Sequence, residues 1–293
     1  MKNILTENRN DASSDIDLAN TKEIVKIIND EDKKVALAIE KATPDIVKAV
    51  NLIVKSLKKG GRLAYFGAGT SGRLGVLDAS EWWPTFSVNE GVVNAYIAGG
   101  DFALKNSVEG AEDDEKEALK HLKEFNPNKN DVVVGISASG NPKYVLKVLS
   151  ESQKAGAKTI GLTSNPEAKL KKYADVCITT VVGSEVISGS SRMKSGTAQK
   201  MVLNMLSTAS MIKLGKTYSN YMIDVQPVCS KLIDRANRII SSVCEISIAK
   251  ADEYRIKADN NVKIACIMCK KCCSKEEARQ LLDEHDGVLR KVI

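Results

Sequence analysis

Three short runs place glycine beside side-chain hydroxyls, the combination that suits the grip of a phosphate. They are Gly67-Ala68-Gly69-Thr70-Ser71-Gly72, Ser137-Ala138-Ser139-Gly140, and Gly189-Ser190-Ser191-Arg192-Met193-Lys194-Ser195-Gly196-Thr197. Glycine lets backbone N–H groups come close to an anion, while serine and threonine add hydroxyl donors. The candidate contacts are Thr70, Ser71, Ser137 and Ser139, and beyond them Ser190, Ser191 and Lys194. One such run would serve as an ordinary turn or cap. Three of them at strand ends point to a compact phosphate monoester. The first run also matches G-x-G-x-x-G, the dinucleotide fingerprint, which wants an acid at the end of the second strand. That strand ends Ala98-Gly99-Gly100, with Asp101 beyond the expected offset, so a sugar phosphate is the favoured ligand.

Carboxylates near these runs supply candidates for general acid–base work. Glu81 lies in Asp78-Ala79-Ser80-Glu81-Trp82-Trp83-Pro84, where Pro84 is expected to stop a helix and leave Glu81 at its C-terminal edge. The helix dipole disfavours an acid there, so helix stability does not account for it. Glu109, Glu112, Asp113, Asp114 and Glu115 form an acidic run, which a solvated helix face would also explain. His121 and His285 are isolated. Cys266, Cys269, Cys272 and Cys273 read as C-x2-C-x2-C, a spacing that could seed a metal or iron–sulfur site. No distant ligand pair completes it, and VKIACIMC reads equally as a buried strand with incidental thiols. The reading is therefore that catalysis rests on neither a metal nor a histidine.

The elements that must position these groups follow from apolar periodicity. Residues 1–19 lack a period and read as an extended arm; Thr21 caps a helical pattern, a second runs over 31–42, and Thr43-Pro44 starts a third that Gly60-Gly61 stops. Strands are expected at 62–66, 92–98, 131–137, 158–163 and 176–182, with helical patterns such as 142–156 between them. Continuous apolar strands alternating with helices indicate a parallel sheet covered on both faces. A long helix at 195–213 aligns Met201, Val202, Met205, Leu206, Ala209 and Ile212, and the chain beyond about 220 reads as helix, short strand and helix. The expected division is 1–50 arm and helices, 51–215 α/β domain, and 216–293 a mainly helical appendage.

Composition bounds the rest. The chain has 293 residues, 43% hydrophobic and 27% charged, with no apolar run near the ~18 residues of a membrane span. It shows no signal-peptide pattern, so the expectation is a cytoplasmic protein without membrane partners. Aromatic content of 4% and a net charge of +6 give no support to nucleic-acid binding. Seven cysteines, odd in number and unevenly spaced, do not read as a disulfide framework.

The run from Gly183 to Lys200, GSEVISGSSRMKSGTAQK, resembles the signature of the N-acetylmuramic acid 6-phosphate etherases, which the glucokinase regulatory proteins share. The resemblance extends through Leu5-Thr6-Glu7, Asn29-Asp30-Glu31-Asp32, GGRLAYFGAGTSGRLGVLDASE, Ile97-Ala98-Gly99-Gly100, VEGAEDD, DVVVGISASG and MVLNMLSTASMIKLGK, covering essentially the whole chain. It implies a sugar isomerase (SIS) fold, a three-layer α/β/α sandwich that binds phosphosugars and commonly forms homodimers. It also implies cleavage of the D-lactyl ether of N-acetylmuramic acid 6-phosphate by elimination and hydration, without metal or redox cofactor. The family's acid in DASE falls on Glu81, donor to the departing lactate, and its base in EGAED falls on Glu112, which takes the C2 proton. Other readings are a non-catalytic phosphosugar sensor and an aldose–ketose isomerase; the sensors are longer and carry a second SIS domain. Departures from the family pattern are Trp82-Trp83-Pro84 after Glu81, Asn141-Pro142-Lys143 after Ser139-Gly140, and Ser184 in the signature. The two rings are expected beside Glu81, raising its pKa by desolvation or narrowing its pocket.

Overall fold

The computed structural model describes residues 7–293 and divides into two compact units, Met1–Ala79 with Gly91–Ser207, and Ser80–Glu90 with Thr208–Ile293. Leu5 and Thr6 of the Leu5-Thr6-Glu7 run lie outside the described residues.

The first unit is built on five parallel strands, β1 (Leu63–Gly67), β2 (Val93–Ile97), β3 (Val132–Ile136), β4 (Lys158–Thr163) and β5 (Val176–Thr179), in the order β2-β1-β3-β4-β5. Strands β1 and β3 are buried along their whole length, as strands covered on both faces must be. One face carries Ala64, Phe66 and Val133 into a cluster with Ala118, Leu122 and Phe125 of α5 (Glu115–Phe125) and Val145, Val148 and Leu149 of α6 (Lys143–Lys154). The chain leaves β1 for β2 on one side, and β3 occupies the other. Gly67 is in register with both Ile97 and Ile136. That reversal is the point at which open α/β sheets leave a crevice beyond the strand ends.

Helix α1 (Thr21–Leu57) is one continuous helix, where three were expected. Asn20, not Thr21, caps it, in a capping box with Glu23. Pro44 lies inside it, although an interior proline costs about 3 kcal/mol. The apolar stripe explains this: Val35, Ala38, Ile39, Ala42, Ile46, Ala49, Val50 and Ile53 keep helical spacing through the proline and are all buried. Ahead of it, the arm holds two 3-10 turns, Asp11–Ser13 and Ile16–Leu18, rather than extended chain.

Helix α2 (Gly69–Ser80) ends at Ser80, not at Pro84. Pro84 sits in the first turn of α3 (Trp82–Phe86), where its missing N–H has no intrahelical partner to lose. After β2 comes the short α4 (Phe102–Lys105). Helix α7 (Lys194–Lys213) spans the expected long helix; of the residues aligned on one side of it, Val202 and Leu206 are buried while Met205 and Ile212 are exposed.

In the second unit, α8 (Ser230–Cys244), α9 (Ile248–Lys257), α10 (Val262–Lys271) and α11 (Lys275–Glu284) enclose their own core of Ile240, Val262, Ile264, Ile267 and neighbours. The expected strand VKIACIMC is helix α10, capped by Asn261. A short apolar run has no period of its own, and the cap decides in favour of helix. Cys266 is buried and Cys272 exposed, and among the described residues no group of three His, Cys, Asp or Glu is placed to hold a metal ion. Among those residues, too, no helix is long and apolar enough to cross a membrane.

Candidate active site

The crevice at the β1/β3 reversal is a cleft of about 370 Å³ in the first unit. Its floor is the loop after β1 and the first turn of α2, with Gly69, Thr70 and Ser71, beside the loop after β3, with Ser137 and Ser139. Gly67 and Gly72 make the tight entry into α2 possible, because a Cβ on Gly67 would stand 2.7 Å from the Gly72 nitrogen. The unpaired N–H groups of that first turn, with the positive end of the helix dipole, form a natural seat for an anion. Ser137 Oγ accepts from Gly140 N–H at 3.0 Å, which fixes the loop and leaves the hydroxyl proton to be donated. Ser191 and Gly189 reach the cleft from the signature loop.

The opposite rim is the segment from Asn106 to Glu112. Gly110, with a φ of 77°, turns this chain into the 3-10 turn Ala111–Asp113, so Glu112 is exposed on the cleft. The neighbouring Glu109 lines it as well. Asp114 is engaged elsewhere, since its carboxylate accepts from the N–H groups of Lys116 (2.8 Å) and Glu117 (3.0 Å) and caps α5. Arg73 supplies a cation to the lining, and its guanidinium donates to the Leu104 and Asn106 carbonyls at 3.0 and 2.8 Å. It thereby ties α2 to the rim.

The third hydroxyl run does not offer its helix terminus to a ligand. Glu185, fully buried, accepts from the N–H groups of Lys194 and Ser195, both at 2.9 Å, so a carboxylate of the protein fills the anion seat of α7. Lys194 turns away too: its ammonium, 1% exposed, donates to Glu31 at 2.5 Å. Neither Lys194 nor Ser190 lines the cleft. Burial pushes the Glu31 carboxyl up, but hydrogen bonds from Lys194, Lys34 and Asn10 outweigh it and hold the group at about 2.

Glu81 belongs to the second unit, exposed at the position preceding α3. Its two aromatic neighbours part company: Trp82 is buried and Trp83 is 53% exposed. Asp78, in the same DASE run, is a strut of the first unit, accepting from Tyr65 Oη at 2.9 Å and Ser207 Oγ at 3.1 Å. His121 is buried with Nδ1 at 2.7 Å from Tyr144 Oη, and burial lowers its pKa.

Comparison with known proteins decides the family. Over all of its residues the chain is 48% identical to the N-acetylmuramic acid 6-phosphate etherase of Clostridium beijerinckii, covering 96% of that protein. It is 50% identical to the etherase of Glaesserella parasuis over 98% of this chain and 95% of that one. The chain belongs to the N-acetylmuramic acid 6-phosphate etherase family. The family model for the glucokinase regulatory protein N-terminal SIS domain matches residues 45–153, and that for the SIS domain matches 105–209. A solved Bacteroides fragilis structure described as a phosphosugar isomerase of capsule formation shares the fold, at TM-score 0.50 and 23% identity over 65% of this chain and 91% of that one. This etherase-family cleft also contains Glu7, Arg73, Asn106 and Ser107, which the sequence reading did not single out. Arg73 was within reach of it, as the cation directly after the first glycine run.

Proposed function

We propose that this chain is a carbon–oxygen lyase that cleaves the D-lactyl ether of N-acetylmuramic acid 6-phosphate, yielding N-acetylglucosamine 6-phosphate and D-lactate. The observation that carries the reading is full-length identity of 48–50% to etherases, joined to a cleft lined by the hydroxyls of Thr70, Ser71, Ser137 and Ser139 and by the exposed carboxylate of Glu112. The two etherases match over 100% and 98% of this chain, which favours the enzyme over the sensor.

The phosphate sits at the first turn of α2, where Thr70, Ser71, Ser137 and Ser139 donate to its oxygens, and Ser191 contacts the sugar from the signature loop. Lys194, already paired with Glu31, is not among the donors. With the sugar ring open, the C2 proton lies beside the C1 aldehyde, and Glu112 removes it as a carboxylate. The lactyl oxygen at C3 leaves once Glu81 gives it a proton. The two groups then exchange roles as water adds at C3 of the unsaturated aldehyde. An isomerase would share the base at C2 but have no need of a proton donor for a C3 ether. The protein acts as a homodimer in the cytoplasm, in the recycling of cell-wall amino sugars.

The test is direct: the purified protein, incubated with N-acetylmuramic acid 6-phosphate, releases D-lactate in step with N-acetylglucosamine 6-phosphate. Binding of the phosphosugar without release of lactate would leave the sensor reading instead.

A further inference from the structure

A third carboxylate reaches the cleft from the arm that precedes α1. Glu7 lines it, and its Oε2 lies 3.0 Å from where a Cβ on Gly189 would stand, so the glycine leaves room for the acid. The chain carrying Glu7 is stitched to the signature loop. Ser188 Oγ donates to the Glu7 carbonyl at 2.8 Å, Asn10 Nδ2 to the Ser184 carbonyl at 3.0 Å, and Ser13 Oγ to the Val186 carbonyl at 2.7 Å. Asn10 Nδ2 also donates to Glu31 at 2.9 Å, the acid already paired with Lys194. The backbone of Glu7 is thus held, while its carboxylate is exposed and forms no hydrogen bond or ion pair among the described residues.

A charged acceptor held over a cleft selects donors. On the etherase reading above, on which this inference rests, the substrate brings two anions, a phosphate and a lactyl carboxylate, and Glu7 repels both. Among its neutral groups the hydroxyls and the amide N–H of the amino sugar can donate to Glu7, while the aldehyde and acetyl oxygens only accept. We propose that Glu7 is a substrate-binding residue that accepts hydrogen bonds from the neutral donors of the open-chain amino sugar and, by its charge, keeps both anions away from its end of the cleft. The arm is then part of the substrate site, and the polarity of the cleft is set: phosphate toward α2, sugar hydroxyls toward Glu7.

The test compares the wild-type protein with Glu7→Ala and Glu7→Gln. Losing a hydrogen bond to a charged acceptor corresponds to roughly a 10- to 100-fold fall in kcat/KM for Glu7→Ala, and Glu7→Gln, which keeps an acceptor oxygen, falls less. Inhibition by inorganic phosphate, which reports the α2 end alone, stays within about twofold of wild type. A kcat/KM within about twofold of wild type in both variants overturns the proposal. So does phosphate inhibition that weakens in step with kcat/KM, since that marks a merely structural arm. Calorimetric titration with N-acetylglucosamine 6-phosphate and with inorganic phosphate separates this inference from the etherase reading. If the wild type releases no lactate, the etherase reading fails, and the titrations decide alone: weaker phosphosugar binding with unchanged phosphate binding upholds the role of Glu7, and unchanged binding of both ends it.

Discussion

Replacing Glu31 with glutamine removes one charge from a pair that has almost no access to water. Glu31 is 3% exposed and Lys194 1%, and they meet at 2.5 Å. The glutamine keeps the shape and leaves the Lys194 ammonium buried without its counter-ion. Breaking a buried pair from one side costs about 3 to 5 kcal/mol. At about 2 to 4 °C per kcal/mol for chains of comparable size, the melting temperature falls by roughly 6 to 20 °C. The pH dependence gives an independent magnitude. The Glu31 carboxyl is lowered from 4.5 to about 2, so its contribution is fully present above pH 4.5 and is lost as pH falls through 2. At 1.36 kcal/mol per unit, that amounts to about 3 kcal/mol. Thermal or urea unfolding of the wild type, Glu31→Gln and the double variant Glu31→Gln/Lys194→Met measures all of this. The double variant recovers most of the loss, since no lone charge stays buried, and the acid limb between pH 4.5 and 2 flattens in both variants. A single variant within 1 kcal/mol of wild type, or a double variant no better than the single, would refute the reasoning.

Other perturbations probe separate parts of the molecule. Thr70→Val and Ser71→Ala, at the first turn of α2, each lower kcat/KM by roughly 10-fold or more and weaken competitive inhibition by inorganic phosphate in parallel, which initial-rate kinetics will show. Glu185→Ala strips the cap from the N–H groups of Lys194 and Ser195 and destabilises the fold by about 2 to 4 kcal/mol in urea titrations. Pro44→Ala restores a hydrogen-bond donor inside α1 and raises stability by roughly 1 to 2 kcal/mol, with a lower melting temperature as the contrary result.

Much of the sheet and part of the cleft were legible in the sequence because they depend on local signals. Strands buried on both faces must be apolar throughout, so β1, β3 and β4 stand out, and β4 spans the residues that the sequence marks, 158–163. Glycine and hydroxyl residues after β1 and β3 mark the cleft because those strands are neighbours at the reversal. What escaped depends on partners far along the chain. Lys194 looks like a phosphate ligand until Glu31, 163 positions away, is seen to hold it. Pro44 reads as a helix start because proline is usually one, yet the apolar stripe on both sides outweighs its cost. The run at 262–269, apolar except for Lys263, is too short for a period to separate helix from strand. Glu7 stands on a segment without periodicity, and its relevance appears once the arm is laid on the signature loop.

The central claim is that two carboxylates divide the reaction, with Glu112 at C2 and Glu81 at the departing oxygen. The measurement that reaches it most directly is to run the wild type, Glu112→Gln and Glu81→Gln in deuterium oxide with N-acetylmuramic acid 6-phosphate, following deuterium at C2 and D-lactate together. The account predicts both signals in the wild type, neither in Glu112→Gln, and deuterium exchange without lactate release in Glu81→Gln. Exchange that persists in Glu112→Gln and disappears in Glu81→Gln would contradict it.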